Sequence, residues 1–233
     1  MSWGGYGSLV RRGLLPGALN LILGDDCISL FEITTHGKAA HSSVPQEGLN
    51  AIYKMRKVME QIEHLSERLK SKSHPILGSP TVSVGTIEGG TSPWTVPEFC
   101  RIVIDRRTIP GETTDEVQGE LNLLLKKLRH EDSQIEIQTR IYQVAEAAQI
   151  PSEEKIVRIA EDEVSSVTGL LPKVGGLSAT TDARFLINQA GIPTIILGPG
   201  SLSQAHRANE HVSLTEVHQA ANIFARIAAK ALQ

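Results

Sequence analysis

Apolar residues recur along this chain with two different periods, and the switches between them mark out its elements. Ile52, Met55, Met59, Ile62, Leu65 and Leu69 fall on one side of a 3.6-residue repeat with charge opposite, which predicts an amphipathic helix over 49–69. Thr113-Thr114-Asp115-Glu116 has the spacing of a capping box, and the helix it opens points Val117, Leu121, Leu124 and Leu128 inward. Ile135, Ile137, Thr139 and Ile141 alternate with Glu136, Gln138 and Arg140, the pattern of a half-exposed strand. Further strands are predicted over 18–24, 28–35, 81–87 and 99–106, and a Ser/Pro/Gly stretch over 71–80 breaks the chain. Residues 28–142 therefore read β-α-β-β-α-β, the order of a ferredoxin-like domain in which two helices back an antiparallel sheet.

Beyond residue 142 the pattern changes. Ser152 is placed to cap a helix running to about Thr168, with Ile156, Ile159, Ala160 and Val164 on one side. A second helix is predicted over 181–189. Thr194 to Leu197 is a short continuous run rich in β-branched residues, the mark of a parallel strand buried on both faces. Ser213-Leu214-Thr215-Glu216 repeats the capping-box spacing and opens a helix toward the end of the sequence. The first residues are glycine-rich, and Ser8 to Leu15 could form a short helix. The expected fold class is α/β: a partial doubly wound domain made of 1–27 and 143–233, with a ferredoxin-like domain over 28–142 inserted into it.

Composition narrows the function classes. The 233 residues carry a formal charge of -3 and only 4% aromatics, so neither a positive field nor a stacking surface favours nucleic acid. No apolar run approaches the ~20 residues needed to span a bilayer, so no membrane partner is expected. No signal-peptide pattern is visible, and Cys27 and Cys100 lack metal-type spacing, so they read as reduced core thiols. A cytoplasmic location follows as an expectation.

Several residues stand where chemistry is kept in α/β proteins. Gly198-Pro199-Gly200 follows the 194–197 run and lets the backbone approach a ligand closely. His206 comes six residues later, just ahead of a capped helix. By itself it reads more readily as a surface-loop residue than as a metal ligand. His41 lies among small residues between a strand and a helix, where an imidazole can either donate to a developing oxyanion or cap the helix. Gly175-Gly176 ahead of a Ser/Thr-rich segment reads as an anion-friendly nest, with Thr181, Asp182 and Arg184 beside it. Arg107 ends a strand and can clamp a carboxylate or simply be a solvated charge. No nucleophile elbow and no phosphate-binding glycine loop occurs.

Taken in order, these segments resemble the dinuclear-zinc aminoacylase/carboxypeptidase family. The matching stretches are Gly37-Lys38-Ala39-Ala40-His41-Ser42-Ser43-Val44-Pro45 with Gly48-Leu49-Asn50-Ala51, Gly89-Gly90 with Val96-Pro97-Glu98, Arg107-Thr108-Ile109-Pro110-Gly111-Glu112, Thr181-Asp182-Ala183-Arg184, Gly191-Ile192-Pro193, Gly198-Pro199-Gly200, and Ala205-His206 with Asn209-Glu210. The resemblance implies a catalytic α/β domain that binds two zinc ions, and an inserted ferredoxin-like lid through which the protein forms a homodimer. It implies His206 as a zinc ligand, with Asp25 standing where a carboxylate ligand follows a strand. It implies that His41 stabilises the oxyanion in the partner subunit, and that Arg107, Thr181, Gly198 and Gly200 contact a small N-acyl amino acid or peptide substrate. Trp94 stands where many relatives carry Asn.

The resemblance also has a boundary. Trp3-Gly4-Gly5-Tyr6-Gly7 resembles the turn that follows the family's Glu-Glu pair, and Met1 and Ser2 stand where that pair would be. Most metal ligands and the general base of the family lie upstream of this point. The chain is thus expected to be a truncated counterpart, lacking the N-terminal half and weak or inactive alone. Two alternatives accompany that expectation: a degenerate, non-catalytic dimerisation or binding module, and one half of a split enzyme.

Overall fold

A computed structural model describes residues 19–25, 27–177, 179–201, 204–205 and 207–233. The helix expected within Ser8 to Leu15 lies outside the described residues. Contacts divide the chain into two compact units. One unit comprises Ile28–Ser73 with Ser79–Glu146; the other comprises the described part of Met1–Cys27 with His74–Gly78 and Ala147–Gln233.

The first of these units has the predicted ferredoxin-like order. Strands β2 (Cys27–His36), β3 (Thr81–Gly89), β4 (Phe99–Thr108) and β5 (Glu136–Val144) lie in the order β3-β4-β2-β5, with helices α1 (Ala51–Leu69) and α2 (Thr114–Glu131) between them in sequence. The edge strands pair antiparallel, β3 with β4 from Thr81 opposite Arg107 to Gly89 opposite Cys100, and β5 with β2 from Ser29 opposite Val144 to His36 opposite Glu136. The two central strands alternate, burying Phe31 and Ile33 of β2 and Cys100, Ile102 and Ile104 of β4 in the same core as the helices. Asn50 caps α1 by accepting from the Ile52 and Tyr53 backbone N–H groups, at 3.0 and 3.2 Å. The Thr113/Glu116 capping box at the start of α2 is present in both directions. The buried face of α1 is turned slightly from the predicted one: Ala51 and Val58 are buried, whereas Ile52 is exposed beside a cleft. On β5 only the beginning is covered; Ile135 and Ile137 are buried, while Ile141 and Tyr142 are exposed, so the alternation predicted for this strand does not translate into one continuous buried face.

Charged groups lock the helices to each other and to the sheet. Lys54 and Lys57 of α1 both donate to Asp132 Oδ2 just beyond α2, at 2.7 and 2.8 Å, and Asp132 Oδ1 accepts from the Gln134 N–H. Arg106 of β4 is buried and bonds Glu112 and the Arg107 carbonyl, and Glu112 also accepts from Lys72. Strand alternation explains why Arg106, rather than its neighbour Arg107, faces the helices.

In the other unit, β1 (Leu21–Asp25) is the middle strand of three, antiparallel to β6 (Ala148–Gln149) and parallel to β7 (Val174–Leu177). Leu21 and Leu23 pack with Val157, Ala160 and Val164 of α3 (Lys155–Thr168) and with Ala220, Ile223 and Ile227 of α4 (Leu214–Ala231). Glu163 of α3 is buried and receives Arg226 and Lys230 of α4, which hold its carboxyl below the usual carboxylate range.

Four local expectations change here. Helix α3 starts at Lys155 without a side-chain cap, and the Ser152 hydroxyl instead donates to Glu153. The second capping box is absent: Ser213 makes no side-chain cap bond, and the Glu216 carboxylate accepts from the Gly200 N–H at 2.7 Å instead of from its own helix terminus. The helix predicted over 181–189 is reduced to one π-helical turn, Phe185–Gln189. The run Thr194 to Leu197 is half-buried, and it is tied to β1 only by an antiparallel bridge between Ile196 and Ile22. No helix of the described residues is long and apolar enough to cross a membrane.

The Asp132 cluster makes a pH-dependent contribution. Its two lysines depress the carboxyl well below the usual aspartate range, so the stabilisation is present above that range and is lost as pH falls below it toward the depressed folded-state value. Asp132→Asn should cost about 1 kcal/mol at pH 7 and less as pH falls toward 3, measured by urea unfolding at each pH. An equal cost at both pH values would overturn this account.

Candidate functional site

The candidate residues fall in both units, and each group is built by its own local geometry. Asp25 ends β1 at the same edge as the end of the parallel strand β7, the place where open α/β sheets present ligating groups. It is only 1% exposed. Its Oδ2 accepts from the Thr181 N–H at 2.8 Å and from the Thr181 hydroxyl at 2.7 Å. Its Oδ1 is buried without a hydrogen-bond partner among the described residues, as is the Thr180 hydroxyl. Burial pushes the Asp25 carboxyl up; the bonds from Thr181, a backbone bond from Ala148 and the charge of Arg184 oppose that shift without cancelling it.

The same bond explains the lost helix start. Thr181 is held by Asp25, and its hydroxyl also accepts the Ala183 N–H at 3.2 Å, so the backbone makes a side-chain turn where a first helical turn was expected. Arg184 then stacks over Phe185, 4.2 Å from the ring centroid. The glycine pair does not form an anion nest. Gly175 and Gly176 lie inside β7, and a Cβ on Gly176 would meet Leu77 at 2.5 Å, so close packing is what the glycine serves there. Gly200 has a left-handed φ of 81°, which favours glycine, and its N–H is committed to Glu216. Among the described residues no neighbour lies within 4 Å of where a Cβ on Gly198 would be. His206 and Asp26 lie outside the described residues.

The implied zinc pair can be tested against this arrangement. Asp25 offers one free, buried oxygen, a reasonable donor to a cation. Two zinc ions need a bridging carboxylate and about two further protein ligands each. Among the described residues no group of three or more His, Cys, Asp or Glu is placed to hold a metal ion, so the described residues do not fit a zinc pair.

In the ferredoxin-like unit His41 is exposed on a loop with a defined backbone. It bridges Thr95, while Val96 N–H donates to the Ala40 carbonyl and Ser42 N–H to the Trp94 carbonyl. Two glycines let these segments approach: a Cβ on Gly37 would lie 2.0 Å from the Leu49 carbonyl oxygen, and one on Gly48 would lie 2.7 Å from that of Lys38. His41 Nδ1 accepts the Ser43 N–H at 3.2 Å, and the Ser43 hydroxyl stands 2.8 Å away. An acceptor Nδ1 places the proton of the neutral ring on Nε2, leaving that edge as a hydrogen-bond donor. Beside the loop lies a cleft of about 560 Å³ lined by Ser42, Asn50, Ile52 and the 89–97 segment. Trp94 is 71% exposed. Arg107 is held by Asp105, whose two oxygens lie 2.9 and 3.2 Å from its Nε.

Sequence reasoning missed the buried Arg106 and Glu163. The strand period carried a signal for the first; for the second, an acidic residue on an amphipathic helix carried none.

Residues 28–133 match the family model described as peptidase dimerisation domain. The chain is 27% identical over 205 residues to acetylornithine deacetylase of Myxococcus xanthus, covering 86% of this chain and 52% of that protein. It is 30% identical over 195 residues to acetylornithine deacetylase of Aliivibrio salmonicida, covering 82% and 49%. Among solved structures, an aminopeptidase of Bacillus cereus superposes with a TM-score of 0.70 at 19% identity, covering 93% of this chain and 55% of that one, a likeness of fold. The chain thus spans about half the length of the relatives it matches.

The paired and orphaned hydroxyls around Asp25 behave oppositely under substitution. Thr181→Val removes a donor to a buried carboxylate and should cost about 1–3 kcal/mol in urea unfolding. Thr180→Val removes an unsatisfied hydroxyl and should be neutral or stabilising. Equal costs for the two variants would sink this assignment.

Proposed function

We propose that the chain belongs to the aminoacylase/peptidase family and is the lid-bearing part of an amide hydrolase acting on N-acyl amino acids or small peptides. The observation that carries the reading is the ferredoxin-like unit itself, which matches the peptidase dimerisation domain and presents His41 on a loop built by close backbone approach. In hydrolysis of an amide, water adds to the carbonyl carbon, negative charge develops on the carbonyl oxygen, and the amine leaves with a proton. A neutral His41 with its proton on Nε2 is suited to donate to that oxygen, the kind of stabilisation worth about 10²–10³ in rate. We assign it this role toward the active site of the partner subunit, in a homodimer formed through the lid over residues 28–142. Residues 1–27 and 143–233 would then form the partial catalytic domain.

Zinc is the cofactor this reading assigns to the catalytic domain, where it would polarise the scissile carbonyl. His206 and Asp25 are the residues assigned toward it. Two ligands fall short of what a zinc pair takes, so hydrolysis by this chain alone is expected to be weak or absent. Arg107 sits at the end of β4 with its charge met by Asp105, and would reach a substrate carboxylate only by exchanging that partner. Thr181, Gly198 and Gly200 are the remaining substrate contacts in this reading. Thr181 and Gly200 would act while held by Asp25 and Glu216. Cys27 and Cys100 are free and buried, and on that ground we place the protein in the cytoplasm.

A second reading is favoured by the unfit metal set: a non-catalytic dimerisation module. Zinc content after purification and hydrolysis of N-acetylornithine with and without added zinc separate the two. Near-stoichiometric zinc with turnover would overturn the expectation of weak activity and exclude the module reading. Absence of both would favour the module. A strict monomer by sedimentation would remove the lid-mediated dimer and the role of His41 across it.

A further inference from the structure

A short segment sits in the ferredoxin-like unit by its place in the chain and in the other unit by its contacts. His74–Gly78 lies between α1 and β3, yet it groups with Ala147–Gln233. The chain therefore passes between the units at 27–28, 73–74, 78–79 and 146–147, whereas a simple insertion needs only the first and last of these crossings.

The segment is built as a closed knob. The His74 and Gly78 N–H groups each donate to the other's carbonyl at 2.8 Å. Inside the loop so formed, His74 Nδ1 accepts from the Ile76 and Leu77 N–H groups at 3.3 and 3.2 Å. Gly78 closes the loop with a φ of 77°, in the left-handed region that favours glycine. Side-chain bonds of this local kind hold a turn without help from neighbouring elements. Leu77 is 4% exposed. Its seat is Gly176 of β7: a Cβ there would lie 2.5 Å from Leu77 Cδ2 and 2.7 Å from Ile76 Cγ2.

The leads back to the ferredoxin-like unit are short. On one side the Ser71 and Lys72 N–H groups are bonded to the Arg68 and Leu69 carbonyls, and the Lys72 side chain bonds Glu112, so only Ser73 separates these anchors from His74. On the other side Ser79 and Pro80 precede Thr81 of β3, and Pro80 is buried. At about 3.4 Å of reach per residue, two residues give about 7 Å of slack, and proline stiffens that lead.

We propose that His74–Gly78 is a latch: a preformed knob, seated on Gly176, that limits how far the ferredoxin-like unit can move relative to the α/β unit. Wide movement requires Leu77 to leave its seat. The latch does not require that the chain hydrolyse anything.

Spin labels on Leu123→Cys of α2 and on Leu171→Cys beyond α3 read that movement, since both positions are exposed and the native Cys27 and Cys100 are buried. The doubly labelled full chain is diluted with excess unlabelled chain, so that distances within one chain dominate. A single narrow distance distribution is expected. Gly176→Val fills the seat, and His74→Ala removes the acceptor inside the knob while leaving β7 untouched. Each should at least double the width of the distribution and speed amide exchange at Ile76 and Leu77 at least tenfold, with helix content unchanged by circular dichroism. If Gly176→Val lowers helix content, His74→Ala decides alone. Leu214→Ala, at an exposed position on α4, should do neither. A broad distribution in the parent chain, an unchanged width once the knob amides are freed, or knob amides protected as before in both variants would each overturn the latch.

Discussion

A carboxylate buried at the end of β1 has to be met by donors, and much of the local architecture of its unit follows from how this is done. Asp25 is enclosed because β1 is flanked by strands on both edges and is buried throughout its length. Thr181 meets one oxygen with two bonds. That commitment turns the chain at 181, prevents a regular helix start and leaves only a π-helical turn at Phe185–Gln189. The same economy recurs nearby: Glu216 reaches the Gly200 N–H instead of its own helix terminus, and Glu163 draws in Arg226 and Lys230 from the facing helix. In each case a side chain suited to one local role is taken over by a partner distant in sequence. The second oxygen of Asp25 meets no donor among the described residues.

The ferredoxin-like unit is organised differently. Its helices cover the two central strands with aliphatic side chains, and its charged locks, around Arg106 and Asp132, sit where helix ends meet the sheet or each other. This gives a stable frame from which the His41 loop projects. The loop is not held by packing but by backbone bonds to the 94–96 segment, which only close approach at Gly37 and Gly48 allows. The Ser43 N–H, donating to Nδ1, orients the His41 ring from within the loop itself.

The ferredoxin-like fold was legible in the sequence because its signals are local and agree with one another. Two amphipathic helices, one complete capping box and strands of the right length admit few arrangements, and the order β3-β4-β2-β5 is the one that lets both helices lie on one face. The other unit was less legible for the opposite reason. Ser152, Glu216 and Thr181 each belong to a helix-start signal, yet each side chain bonds elsewhere, and a cap is only a preference that another partner can override. The glycine pair at 175–176 resembled a nest, but Leu77, nearly a hundred positions earlier, needed the space.

By itself, then, the sequence determined the fold class and the order of elements in the ferredoxin-like unit, and it carried the likeness to the aminoacylase/peptidase family. These depend on residue type and spacing, which are local quantities. Which face of α1 is buried, which of two adjacent arginines enters the core, which hydroxyl meets Asp25 and where Leu77 seats were decided only in the tertiary structure. Each depends on what arrives from a distant part of the chain to compete for the same atom or the same surface, and no periodicity records that.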